Sequence, residues 1–224
     1  MTCKPWTSLA VAATLAAGMA SAQAVTLLEE GFEDVAGLQT QGWRFINDSS
    51  VPLGPGFGQG DAAKFAAQAG TPNSFAFASF AINDAPDGEI YAALITPALD
   101  LSKDTELSFW TRTVAGSSFP DRLAVGMFAS DGNAGELLSI NFGLRKGGYP
   151  SQWREYTVSL GGLGDGVTGS FYFEYYLTDA EVSGNYIGID SITVTAVPEP
   201  GTWLMLGLGL GLAGLGALAR RRAA

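Results

Sequence analysis

Residues 171–177 read Phe-Tyr-Phe-Glu-Tyr-Tyr-Leu, an order that suits an extended strand and spoils any helix. At a period of two, Phe171, Phe173, Tyr175 and Leu177 share one face, and Tyr172, Glu174 and Tyr176 share the other. The first face is apolar and needs a core; the second mixes two rings with a carboxylate and suits water. The same alternation recurs at Leu107, Phe109 and Thr111 against Ser108, Trp110 and Arg112, then at Leu123, Val125 and Met127, and at Tyr156, Val158 and Leu160. Turn-forming clusters separate these runs: 83–88, 131–133, 146–148 and the glycine-rich stretch 161–166. No long stretch has helical periodicity and no segment repeats. Many short strands joined by such turns predict an all-β chain folded as an antiparallel, jelly-roll-type β-sandwich. Trp43, Trp110 and Trp153 read as core or edge-packing residues of that body.

The only cysteine is Cys3, so the body must be held by burial rather than disulfides. Cys3 belongs to a leader: Lys4, an apolar run from Leu9 to Ala20, then Ala22-Gln23-Ala24. That layout predicts a secretory signal peptide over 1–24, cut after Ala24, with Ala22 as the alternative. The apolar run is too short to cross a bilayer. The sandwich domain is therefore expected over 25–196.

At the other end, Val197-Pro198-Glu199-Pro200-Gly201 leads into an apolar run from Trp203 to Ala219 and then Arg220, Arg221 and Arg222. At 1.5 Å per residue the run reaches about 25 Å, enough for a single transmembrane helix in a thin bilayer. The arginines mark its cytoplasmic end, so the body faces away from the cytoplasm.

Residues 197–222, with Pro-Glu-Pro at 198–200, the helix at 203–219 and the basic cluster at 220–222, resemble the PEP-CTERM sorting signal of Gram-negative bacteria. The resemblance implies export through the general secretory translocon and recognition by an exosortase, a membrane-embedded transpeptidase acting near Pro198, Glu199 and Pro200. It implies transient residence in the inner membrane, then delivery to the cell surface or the extracellular matrix. The rival reading, a plain membrane anchor, explains neither the Pro-Glu-Pro nor so short a helix.

The body carries an ordered set of signals. Glu30-Gly31-Phe32-Glu33 opens it, Gly42-Trp43 and Asn47-Asp48 follow, then 93–102 leads into Leu107-Ser108-Phe109-Trp110, and Ile189-Asp190-Ser191-Ile192-Thr193-Val194 closes it. Together these resemble the choice-of-anchor J domain, related to cleaved-adhesin and MAM-type jelly rolls. In such jelly rolls a Ca²⁺ sits between the opening Phe-Glu and the closing Asp. The resemblance thus implicates Glu33 and Asp190, with Asp61 as a third ligand of a structural Ca²⁺, an ion that takes oxygen donors. The other reading has Glu33 and Asp190 accepting hydrogen bonds from neighbouring backbone amides. The chain departs from its relatives at Ser191, where a second acidic or amide residue is common.

The same segment has an internal signal. Ile187 and Ile189 have one parity, Ile192 and Val194 the other. A phase slip of one residue at Asp190-Ser191 predicts a β-bulge.

Charge and residue choice narrow the function. The chain has 12 Lys+Arg against 22 Asp+Glu, for a net charge of −10, which argues against a nucleic-acid partner. It has no histidine, which removes Ser-His-Asp and Cys-His catalysis and His-ligated zinc. Carboxylate pairs such as those of a glycosidase are available by count only, and nothing in the sequence sets their separation. Tyr172, Glu174 and Tyr176 on one strand face would serve as a carbohydrate platform, ring against sugar and carboxylate against hydroxyl; alternatively the rings cover the sheet. The expectation is a non-catalytic exported protein with a structural or binding role in envelope or biofilm, with a carbohydrate-binding adhesin as the first alternative, extracellular polysaccharide its partner, and a secreted hydrolase as the second.

Overall fold

The computed structural model describes residues 24–197. All of the signal peptide before Ala24, and Pro198, Glu199, Pro200, Arg220, Arg221 and Arg222 with the predicted transmembrane run, lie outside the described residues. Among the described residues no helix is long and apolar enough to cross a membrane.

Among the described residues, twelve strands form two antiparallel sheets packed face to face. The first contains β1 (Val25–Glu30), β3 (Gly58–Gln59), β4 (Ala76–Ser79), β7 (Thr105–Thr113), β10 (Arg154–Leu160) and β12 (Tyr186–Ala196). Its order is β10-β7-β12-β4-β3, with β1 also on β12. The second contains β2 (Arg44–Asn47), β5 (Ile90–Ile95), β6 (Leu99–Asp100), β8 (Leu123–Ala129), β9 (Ala134–Ile140) and β11 (Thr168–Leu177). Its order is β2-β5-β11-β8-β9, with β6 also on β11. The only α-helix among the described residues is the single turn α1 (Ala180–Ser183), its Asp179 carboxylate accepting from the amides of Glu181 and Val182.

The alternation does what period two requires. Phe171, Phe173, Tyr175 and Leu177 of β11 are buried, as are Leu107, Phe109 and Thr111 of β7, while Tyr172, Glu174 and Tyr176 are half-buried on the opposite face. The inner faces meet through contacts such as Phe109 against Phe173, edge to face at 5.1 Å. The predicted turns at 131–133, 146–148 and 161–166 all fall between strands.

The predicted bulge is present. Between Asp190 and Thr193 the register of β12 on β7 shifts, and Ser191 sits at φ 51°. The slip lets Ile187 and Ile189 before it, and Ile192 and Val194 after it, all reach the core. Here, too, β12 changes neighbour along one edge. Its first half pairs with β4, from Tyr186↔Ser79 to Ile189↔Ala76, and its second half with β1, from Glu30↔Ile192 to Val25↔Ala196.

Candidate functional site

Two regions of the body carry the residues singled out above. The first is a strap, residues 60–75, that leaves β3, crosses the outer face of the first sheet and returns into β4. It lays Phe65 on Phe75, stacked at 4.9 Å, with Trp153 and Tyr186 edge-on to Phe65 at 5.6 and 5.5 Å. The Arg112 guanidinium lies 4.4 Å from the Phe65 ring centre. Polar anchors hold the strap down: Trp153 Nε1 donates to the Ala66 carbonyl at 2.9 Å, and the Asp61 amide to the Tyr186 hydroxyl at 2.9 Å.

The central anchor is Asp190, fully buried at the bulge. Its Oδ2 accepts from the amides of Gln68 at 2.7 Å and Ala69 at 3.3 Å, and its Oδ1 from the Ser191 amide at 2.6 Å. Ser191 Oγ reaches Gln68 Oε1 at 2.9 Å, a second tie from the bulge to the strap. Burial outweighs the opposing pull of the amides and leaves the Asp190 carboxyl raised to about 6. Alternation after Ile187 and Ile189 puts this carboxylate on the outer face, under the strap, and the register shift follows it at Ser191.

Glu33 is exposed on the same side, its Oε1 3.4 Å from where a Cβ on Gly70 would stand. Asp61, also exposed, begins the strap and accepts from the Ala63 amide at 2.9 Å. The fold thus brings Glu33 and Asp190 to one strap but does not gather the three carboxylates into one donor set. Among the described residues, no three His, Cys, Asp or Glu side chains come together as a metal site. Both oxygens of Asp190 accept from amides, as the amide-anchoring reading expects of that residue. Gln59 escaped the sequence reading, yet it ties the chain's opening to the strap. It accepts from the Val35 amide at 2.9 Å and donates to the carbonyls of Phe32 and Asn73 at 2.8 and 2.7 Å.

The second region is the outer face of the second sheet. Tyr172, Glu174 and Tyr176 stand along β11, facing Ile95, Ala93 and Tyr91 on β5. Tyr176 meets Tyr91 edge-on at 6.3 Å, and Tyr172 stacks against Phe128 at 6.4 Å. Tyr91 stands beside Glu174, whose carboxyl burial pushes up while Tyr91 and Arg122 pull it back. Arg122 is itself paired with Glu136 at 2.9 Å. Next to Glu174 and Tyr172 the floor drops to Ala124 and Gly126 on β8. A Cβ on Gly126 would stand 2.2 Å from the Tyr172 ring and 2.4 Å from the Gly135 carbonyl, so only glycine lets this ring lie where it does. Tyr91 and Gly126 escaped the sequence reading because β5 and β8 come beside β11 only through the sheet.

These features define a class: a two-sheet antiparallel sandwich with a strapped outer face on one sheet and an open aromatic face on the other. The K3 and K1 cleaved adhesin domains of the Lys-gingipain of Porphyromonas gingivalis W83 share this fold. They are 21% and 22% identical to this chain, each at a TM-score of 0.51, with 78% of this chain and 100% of theirs covered. Residues 196–222 match the PEP-CTERM protein-sorting motif. The chain thus joins a β-sandwich with the fold of those domains to a C-terminal PEP-CTERM sorting motif, which implies export and sorting to the cell surface or the extracellular space. No curated protein matches the sequence.

Proposed function

We propose that this is an exported, non-catalytic protein of the cell surface or extracellular matrix, whose body binds polysaccharide on the outer face of the second sheet. One observation carries the reading: three half-buried tyrosines, Tyr91, Tyr172 and Tyr176, surround Glu174 on one open sheet face. Ring faces there would take the apolar side of a sugar, and Glu174 with the tyrosine hydroxyls would take its hydroxyl groups. The sorting signal supports an exosortase partner. A Gram-negative host, passage through its inner membrane and a place in biofilm belong to the same proposal.

Retention on immobilised extracellular polysaccharide tests the platform. Tyr172→Ala and Tyr176→Ala are expected to weaken binding by about tenfold each, which corresponds to ~1.4 kcal/mol. Retention identical to that of the parent protein removes the platform. Intact-mass analysis of the exported protein tests the sorting, with a new C-terminus expected near Pro198-Glu199-Pro200.

A further inference from the structure

The chain ends fix which pole of the sandwich points outward. Val25 pairs with Ala196, so both ends of the body leave from one pole. Tyr186, at the other end of β12, lies about 33 Å away at ~3.3 Å per residue. The loops 48–57, 80–89, 114–122, 141–152 and 178–185 gather at that far pole.

Exposed apolar side chains are concentrated there. Among the described residues, Val25 and Val197 stand exposed at the chain ends. The other exposed large apolar residues, Val51, Leu53, Phe80, Phe142, Leu144 and Val182, all lie in the far-pole loops. A patch of this kind marks an interaction surface.

The patch has two unlike halves. One is a hollow of about 430 Å³ lined by Leu53, Phe80, Pro86 and Phe119, with Asp84 and Glu181 on its wall. The other is the loop 141–148, which presents Phe142 at 72% exposure, then Leu144, Arg145 and Lys146, all exposed. This loop is built to protrude. Asn141 Nδ2 donates to the carbonyls of Asp121 and Arg145 at 2.9 and 3.0 Å, and the Gly147 amide donates to the Phe119 carbonyl at 3.2 Å. Arg122 stacks on Phe142 at 5.5 Å. The two halves thus flank Phe119 side by side, an acidic apolar hollow and a basic apolar projection that leave each other open.

We propose that the far pole is a self-association surface on which a second copy of this chain docks about a two-fold axis. A two-fold contact puts each patch against its own duplicate, turned round, so that a hollow meets a projection twice. Phe142 and Leu144 of each copy then cover the hollow of the other, and Arg145 and Lys146 face Asp84 and Glu181. Burial supplies the affinity, and the paired charges supply orientation and encounter rate. Because both chain ends leave from the opposite pole, copies carried on facing surfaces meet tip to tip.

Sedimentation equilibrium of the purified exported protein, together with clustering of beads that carry it by its C-terminal side, tests this. The parent protein is expected to dimerise and its beads to cluster, both weakening with added salt. Phe142→Asp, the pair Arg145→Glu/Lys146→Glu and the pair Asp84→Lys/Glu181→Lys are each expected to weaken self-association at least about tenfold, with unchanged thermal melts because every altered residue is exposed. Mixing the two charge-reversed variants is expected to restore association. A parent protein that stays monomeric and dispersed overturns the proposal, whether another partner uses the patch or none does. So do charge-reversed variants that associate as the parent does, or that fail to recover on mixing.

Discussion

The Tyr175 hydroxyl donates to Asp121 Oδ1 at 2.7 Å, with both residues fully buried between the sheets. The same oxygen accepts from the Asn185 amide at 2.8 Å, and Oδ2 lies 3.2 Å from Thr113 Oγ1. Burial pushes the Asp121 carboxyl up, and these donors draw it partway back. Nearby, Thr111 donates its one hydroxyl proton to the Gly188 carbonyl at 2.6 Å, so Tyr149 must be the donor in its 2.6 Å bond to Thr111. Every buried side-chain polar atom among the described residues has a partner.

Tyr175→Phe therefore removes one donor from a buried carboxylate. The expected cost is about 1–3 kcal/mol of unfolding free energy, read from the urea midpoint. Asp121→Ala is expected to cost more, because it strands the Tyr175 hydroxyl proton and leaves the Asn185 amide only its 3.2 Å bond to the Tyr175 oxygen. A Tyr175→Phe protein as stable as its parent would show that this bond contributes nothing net.

Asp190→Ala strips the acceptor from three amides, two of them in the strap. The strap is expected to lift from the first sheet, exposing Phe65 and the indole of Trp153. The measurements are tryptophan emission, which should move to the red, and limited proteolysis, which should cut within 60–75. A variant with parental emission and proteolysis would show that the aromatic packing holds the strap without its carboxylate.

Acidity should strengthen this protein before it weakens it. Burial raises the Asp190 carboxyl from 3.8 to about 6, and that of Asp121 rises as well. Between the unfolded and folded values the folded chain binds the proton more tightly. Stability therefore grows as pH falls from about 7 toward 4, and is lost as pH rises through about 6. Melting temperature is expected to be higher at pH 5 than at pH 7.5, with a smaller difference in Asp190→Asn. A melting temperature that falls on this acidification contradicts the assignment.

Glu33, Asp61 and Asp190 can be tested as Ca²⁺ ligands directly. With the Asp190 oxygens already accepting from amides, a melt in EDTA followed by excess Ca²⁺ is expected to leave the transition where it was. A rise on adding Ca²⁺ would seat an ion between Glu33 and the strap, and would replace the anchoring role given to Asp190.

Much of this architecture could be read along the chain. The alternation in 171–177 placed β11 with the correct face inward, because a strand's period is local and needs no partner to define it. The parity slip between Ile189 and Ile192 marked the bulge for the same reason. The strap was not legible: Phe65 stands among small and polar residues, and its value lies in Phe75, Trp153 and Tyr186, which other strands supply. The resemblance behind the Ca²⁺ expectation named Glu33 and Asp190, but nothing in the sequence signalled that the Gln68 and Ala69 amides donate to Asp190.

By itself the sequence determined the strand faces, the bulge and the sorting signal at the C-terminal end, since each is written in neighbouring residues whose spacing fixes their geometry. Only the tertiary structure decided that Tyr91 and Gly126 complete the face begun by Tyr172, and that Asp121 meets Tyr175 across 54 residues. It also decided that six apolar side chains from separate loops share one pole. Those relations depend on which strands lie side by side, and that choice is made by burying the whole core at once rather than by any local run of residues.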